Sequence, residues 1–269
     1  MSLSGKGKIY FMKSWVESFL IALSMYSTIP VKCLDWNKNN LRHAMIFFPL
    51  IGLICGFGIG FIWYICNLLQ ASYFLFAVFA LLITVIITGG IHLDGFCDTA
   101  DALFSRRSQE EKLKILKDAH CGAFAVISII LIILLQVADF SEIFLKFDMN
   151  FLGIITGGYI LSRCLSAISV MTFPCAKTSS LAKTFSEYAA SGSKKILIAE
   201  FILISLILIY FYHKLAMLLI SSAILVFIYY YQMQKKQFGG MTGDLAGFFL
   251  VLCETVWLSE IALLGGILT

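Results

Sequence analysis

The feature that most constrains this chain is a series of seven apolar runs, near residues 44–69, 72–91, 121–138, 151–171, 196–212, 215–232 and 246–268. At about 1.5 Å per helical residue, runs of this length suit a hydrocarbon layer of roughly 30 Å. A backbone in lipid satisfies its hydrogen bonds only as a helix or a closed barrel, and long unbroken apolar runs select the helix. Charged residues make up 13% of the chain, against roughly 25% in soluble domains. That excludes a soluble enzyme and a disordered chain. The eight cysteines show no paired spacing and lie mostly inside apolar runs, where they act as small hydrophobes rather than as a disulfide framework. The expected fold is all-α, a polytopic membrane helix bundle of about seven transmembrane helices in a single domain over residues 1–269.

A shorter apolar stretch, Trp15 to Pro30, follows three lysines and is interrupted by Glu17. It lacks a small-residue cleavage site, so it reads as a retained interfacial or half-inserted helix rather than a signal peptide. The connections at 70–71 and 213–214 are so short that the flanking helices must form tight hairpins.

The basic residues set the expected orientation. Seventeen of the 20 Lys and Arg residues fall on one side, in the N-terminal segment and the loops 92–120, 172–195 and 233–245. Lys146 and Lys214 lie on the other side, and Arg163 lies within a span. By the positive-inside rule, the N-terminus and these loops face the cytoplasm of a cell (inner) membrane. Gly52, Gly56 and Gly60, and again Gly153 and Gly157, recur every four residues. Such faces admit another backbone, either within the chain or in a homo-oligomer.

Acidic residues are few and clustered. The run Gly89-Gly-Ile-His-Leu-Asp-Gly-Phe-Cys-Asp-Thr-Ala-Asp101 places Asp94, Asp98 and Asp101 on one helical stripe. Like charges at that spacing repel, so three of them at the mouth of a membrane bundle call for a counter-charge. All-oxygen donors suit Mg²⁺, with Mn²⁺ as the other choice, over zinc. A solvated helix start explains one such Asp but not three on one face. Gly95 would let the backbone approach a ligand. The loop from Arg106 and Arg107 to Asp118 and His120 offers cations for phosphate, although topology alone also favours basic loops. A second polar cluster, Gly239-Gly-Met-Thr-Gly-Asp-Leu-Ala-Gly247, brings Thr242 and Asp244 to the same side. Glu254 follows about 15 Å deeper. Glu254 and Arg163 are intramembrane charges, read either as a functional pair or as a structural ion pair.

His92-Leu-Asp-Gly-Phe-Cys-Asp-Thr-Ala-Asp-Ala-Leu103 resembles the signature of the cobalamin synthases. Ala44-Met-Ile-Phe-Phe-Pro-Leu-Ile-Gly52 is similar to that family's Phe-Pro-x-x-Gly helix. Leu116-Lys-Asp118 with Gly122-Ala-Phe-Ala-Val126 is similar to its second block, and Gly239-Gly-Met-Thr-Gly-Asp244 with Gly247 to its third. His120 and Lys177 stand where the family commonly has Arg, and Val251 where some members have an acid or amide.

The resemblance implies a Mg²⁺-dependent membrane phosphotransferase acting on adenosylcobinamide-GDP and α-ribazole or its 5′-phosphate, with no nucleic-acid partner. It implies metal ligands at Asp94, Asp98, Asp101 and Asp244, and a proton acceptor among Asp94, Asp98 and Asp118. Substrate contacts are expected from His92, Gly95, Arg106, Arg107, His120, Arg163, Lys177, Thr242 and Glu254. Two other readings stay open: a CDP-alcohol phosphotransferase of phospholipid synthesis, and, more distantly, a cation-coupled transporter.

Overall fold

The computed structural model describes residues 5–32, 36–176, 184–185, 187–190 and 192–268. Its helices are α1 (Gly5–Tyr26), α2 (Lys38–Leu41), α3 (Phe48–Leu68), α4 (Tyr73–Thr88), α5 (Ile91–Phe104), α6 (Gln109–Ile115), α7 (Ala123–Lys146), α8 (Leu152–Thr172), α9 (Ser193–Phe238) and α10 (Gly243–Leu268). Among the described residues the only strand-like pairing is an isolated bridge between Cys175 and Met241. The polytopic all-α membrane bundle expected from the apolar runs is what the chain forms. Many large apolar side chains, such as Phe57, Phe61, Leu131, Leu203, Leu225 and Ile267, point outward. Water would not tolerate so extensive an apolar surface, whereas lipid does.

Five helices are long and apolar enough to cross a membrane, or six if α4 and α5 together make one broken span. The helix expected over 72–91 ends early, at Thr88. Helix α4 has 16 residues, about 24 Å, and the chain then bends by 94° into α5. Gly89 and Gly90, at φ 65° and 74°, make that bend in a backbone region that favours glycine. The freed carbonyls at the end of α4 are satisfied locally: the Gly90 N–H donates to Val85 O, and the N–H and hydroxyl of Thr28 donate to Ile87 O and Ile86 O.

Helix α9 spans 46 residues but leaves helical geometry at His213. Its start is held at Arg42, whose carbonyl accepts from the Ser193 hydroxyl. Near the break, Tyr212 donates to Asn150 O, and near its far end Gln237 accepts from Lys112 Nζ at 2.6 Å. Arg42 and Lys112 belong to the end of the bundle that holds the acidic motifs, and Asn150 to the other. The two limbs therefore run antiparallel, as the short 213–214 connection required.

Helix α1 is not among the spanning candidates. Ser18, Ile21 and Ala22 are buried, the Ser18 hydroxyl donates to Asn40 O at 2.6 Å, and Trp15 stacks on His43. This docks α1 on α2 and on the turn at Ala44–Phe47.

Helices α8 and α10 are the most enclosed, while α7 and α9 turn most of their surface outward. The glycine faces are used inside the chain. A Cβ on Gly52 would meet the Tyr159 carbonyl, one on Gly56 the Thr156 side chain, and those on Gly153 and Gly157 the side chains of Tyr212 and Leu208. Of the two uses that the sequence left open for these faces, packing within the chain is the one seen here: α8 and α9 lie against them. Gly52→Leu is expected to push α3 off α8 and destabilise the protein by about 1–3 kcal/mol, read as an earlier unfolding transition in detergent; an unchanged transition would contradict the contact.

Candidate active site

Two glycine-bearing motifs meet at one end of the bundle. In the second, Gly239 ends α9 at φ 70°, and Gly240 passes so close to Pro174–Ala176 that a Cβ would strike the Ala176 nitrogen and the Pro174 carbonyl. Met241 pairs with this segment through its N–H to Pro174 O at 2.8 Å and its carbonyl to the Ala176 N–H at 3.0 Å. Thr242 then accepts from the Leu245 N–H, capping α10 with Asp244 in its first turn. Helix α5 crosses α10 at the same level. The Cβ position of Gly95 stands 2.8 Å from the Asp244 carbonyl oxygen, and that of Gly247 stands 3.2 Å from the His92 carbonyl oxygen. Gly95 was expected to admit a ligand; what it admits is the backbone of α10.

This crossing brings His92, Asp94, Thr242 and Asp244 onto one cavity of about 330 Å³. Tyr26, Met45 and Phe48 line it too, with Lys117 and Phe185 from the segments that follow α6 and α8. Asp94 and Asp244 each sit in the first turn of a helix, where the macrodipole offsets part of the negative charge. Asp98 and Asp101 extend the stripe beyond the cavity. The carboxylates of Asp94, Asp244 and Asp101 all act electrostatically on Asp98, while Asp101 turns its own carboxylate against Gly122 at the start of α7. None of the four pairs with a Lys, Arg or His among the described residues.

The expected set of four metal ligands is not assembled. Among the described residues no three His, Cys, Asp or Glu side chains stand close enough to hold an ion. Mg²⁺ commonly binds through one or two carboxylates together with substrate phosphates, rather than in an all-protein cage. Unpaired Asp94 and Asp244 on the same cavity fit that mode.

Other expected site residues lie elsewhere. Arg163 is 1% exposed and Glu254 8%; Arg163 Nη1 binds Glu254 and donates to Tyr159 O at 2.9 Å. Ser162 also donates to Glu254, at 3.2 Å. The two side chains reach each other across α8 and α10 as a buried ion pair, and neither lines the 330 Å³ cavity. His120 is exposed and donates to Asp118, 2.7 Å through its ring Nδ1 and 3.0 Å through its backbone N–H. These two bonds hold the Asp118 carboxyl below the usual carboxylate range. Arg106 and Arg107 are exposed, and Arg107 pairs with Glu111 at 3.3 Å. None of these four loop residues lines the cavity. Lys177 falls outside the described residues. Conversely, Tyr26 and Phe185 were not marked in the sequence, whereas Met45, Phe48 and Lys117 lay within quoted motifs without being assigned a role. Tyr26 sat in an apolar stretch with no signal to mark it.

A lipid-facing helical bundle with a carboxylate-bearing cavity at one end defines a polytopic membrane protein. The family described as Cobalamin-5-phosphate synthase, CobS, matches residues 18–262, and the chain belongs to this family. A protein of Lachnoclostridium phytofermentans named adenosylcobinamide-GDP ribazoletransferase is 38% identical over 242 residues, 89% of this chain and 91% of its own length. Relatives with the same name in Clostridium perfringens and Clostridium botulinum are 37% and 39% identical, over 90% and 92% of this chain and 96% and 97% of theirs. No solved structure matches the chain.

Removing Glu254 would strand the buried guanidinium of Arg163. Glu254→Ala is expected to cost about 3–5 kcal/mol in unfolding experiments, and adding Arg163→Met should restore part of that loss; an additive double variant would show that the pair is not coupled.

Proposed function

We propose that the chain catalyses the final assembly step of cobalamin biosynthesis, transferring adenosylcobinamide phosphate from adenosylcobinamide-GDP to α-ribazole or its 5′-phosphate and releasing GMP. Family membership over most of the chain supports the reading. The observation that carries it into chemistry is the convergence of Asp94 and Asp244, from two separate motifs, on one cavity.

The transfer forms a bond between the ribose 3′ oxygen and the cobinamide-bound phosphorus and breaks the bond from that phosphorus to GMP. Such reactions need alignment and charge neutralisation more than covalent help from the protein. A bound Mg²⁺ or Mn²⁺ would neutralise the diphosphate and the departing GMP, and Asp94 and Asp244 are the residues that would hold it, with Asp98 and Asp101 behind them. Lys117, on the same cavity, adds a positive charge for a phosphate. The hydroxyl proton would pass to an aspartate of the α5 stripe that the metal leaves free. Asp118 is the weaker base, because its hydrogen bonds from His120 stabilise the ionised form. The excess of basic residues on the loops around the site supports placing it at the cytoplasmic face of the cell membrane.

Purified protein in liposomes with Mg²⁺, adenosylcobinamide-GDP and α-ribazole is expected to release GMP and form a cobalamin. Chelation should stop turnover and added Mg²⁺ should restore it. Asp94→Asn should lower kcat by at least a hundredfold with membrane insertion intact. Turnover of CDP-diacylglycerol with an alcohol, and none with the corrinoid, would overturn the reading. Orientation has its own test. Cys121 is the exposed cysteine among those described, and in inside-out vesicles it should react with an impermeant maleimide that leaves it untouched in right-side-out vesicles.

A further inference from the structure

The lining of the 330 Å³ cavity falls into two chemical groups. One is polar, with Asp94, Asp244, Thr242 and Lys117. The other is a corner of three rings, Tyr26, Phe48 and His92, whose centroids lie 4.2, 5.7 and 6.4 Å apart, with the thioether side chains of Met25 and Met45 beside them. Aromatic faces and thioethers form a wall that stacks on a flat, weakly polar ring system.

We infer that this cavity is the acceptor subsite and that the benzimidazole of α-ribazole occupies the Tyr26–Phe48–His92 corner, with its ribose turned towards Asp94 and Asp244. The inference rests on the reaction proposed above and says which substrate lies where. Size and polarity both decide it. The volume is at the lower end of the roughly 300–1,000 Å³ found for small-molecule pockets, which suits a nucleoside. A corrin macrocycle with its amide side chains is several times larger and must lie outside the cavity. Guanine presents a carbonyl, a ring N–H and an amino group that need partners, and Tyr26, Phe48, Met25 and Met45 offer little to meet them. Benzimidazole carries a single free ring nitrogen. His92, 8% exposed, has its Nε2 buried without a hydrogen-bond partner and lines the cavity two residues before Asp94 on α5. An orphaned ring nitrogen next to an apolar corner is what a heteroaromatic base with one polar atom would satisfy. With the base so placed, the ribose hydroxyls fall on the carboxylate side, where the attacking oxygen is needed.

The test measures KM for each substrate separately, in liposomes, with the other saturating. Tyr26→Leu and Phe48→Leu should each raise KM for α-ribazole at least tenfold and leave KM for adenosylcobinamide-GDP within twofold. Tyr26→Phe, which keeps the ring, should raise it less than threefold. An unchanged donor KM also reports that each variant is folded. A rise in the donor KM with the α-ribazole KM unchanged would overturn the inference, as would no change in either. For a variant that does not fold, wild-type protein supplies the answer: α-ribazole alone should raise its unfolding temperature, and no rise would count against an acceptor site that exists before the donor binds. Failure of the parent reading looks different, since wild-type protein would then form no cobalamin at all.

Discussion

The site depends on how closely α5 and α10 cross. Gly95 lies against the backbone of Asp244 and Gly247 against that of His92, so each helix presents a notch to the other. Without that fit, the first turns of two helices could not set Asp94 and Asp244 on one cavity, and the dipoles of both helix starts would not act on the same space. The bend at Gly89–Gly90 matters for the same reason. It turns α5 by 94° from α4, so that α5 starts at the cavity with Asp94 in its first turn.

Charge is arranged in two contrasting ways. Deep in the bundle, Arg163 and Glu254 neutralise each other and are further satisfied by Tyr159 O and the Ser162 hydroxyl. A single charge there would be costly, so the pair behaves as a structural unit. At the acidic end, by contrast, the four aspartates have no basic partner among the described residues. That imbalance is tolerable near solvent, and the proposed transfer, with a cation bound alongside a diphosphate, would make use of it.

Much of this was legible beforehand. The apolar runs marked the bundle, and the 213–214 connection marked the reversal at His213. The spacing of Asp94, Asp98 and Asp101 put them on one face of α5, and the Gly-Gly-Met-Thr-Gly-Asp motif marked the start of α10. Less legible was the division of labour among charged residues. Arg163 and Glu254 carry the same signal whether they hold a substrate or each other, because an intramembrane charge is unusual in either role. His120 and Asp118 are spaced to bind each other locally, which takes them off the cavity. Tyr26 carried no signal, since a tyrosine in an apolar helix has no distinguishing neighbour in sequence.

Hydropathy and local spacing are one-dimensional properties, so the order of residues alone marks a helical membrane protein, the family it resembles and the motifs that bear the acids. That the glycine faces are spent on internal packing, that α4 stops short and bends into α5, and that Tyr26, Phe48 and His92 form one corner of the cavity emerge only from the folded chain. Those outcomes depend on which helices touch, and close packing between distant segments is settled by shape in three dimensions rather than by order along the chain.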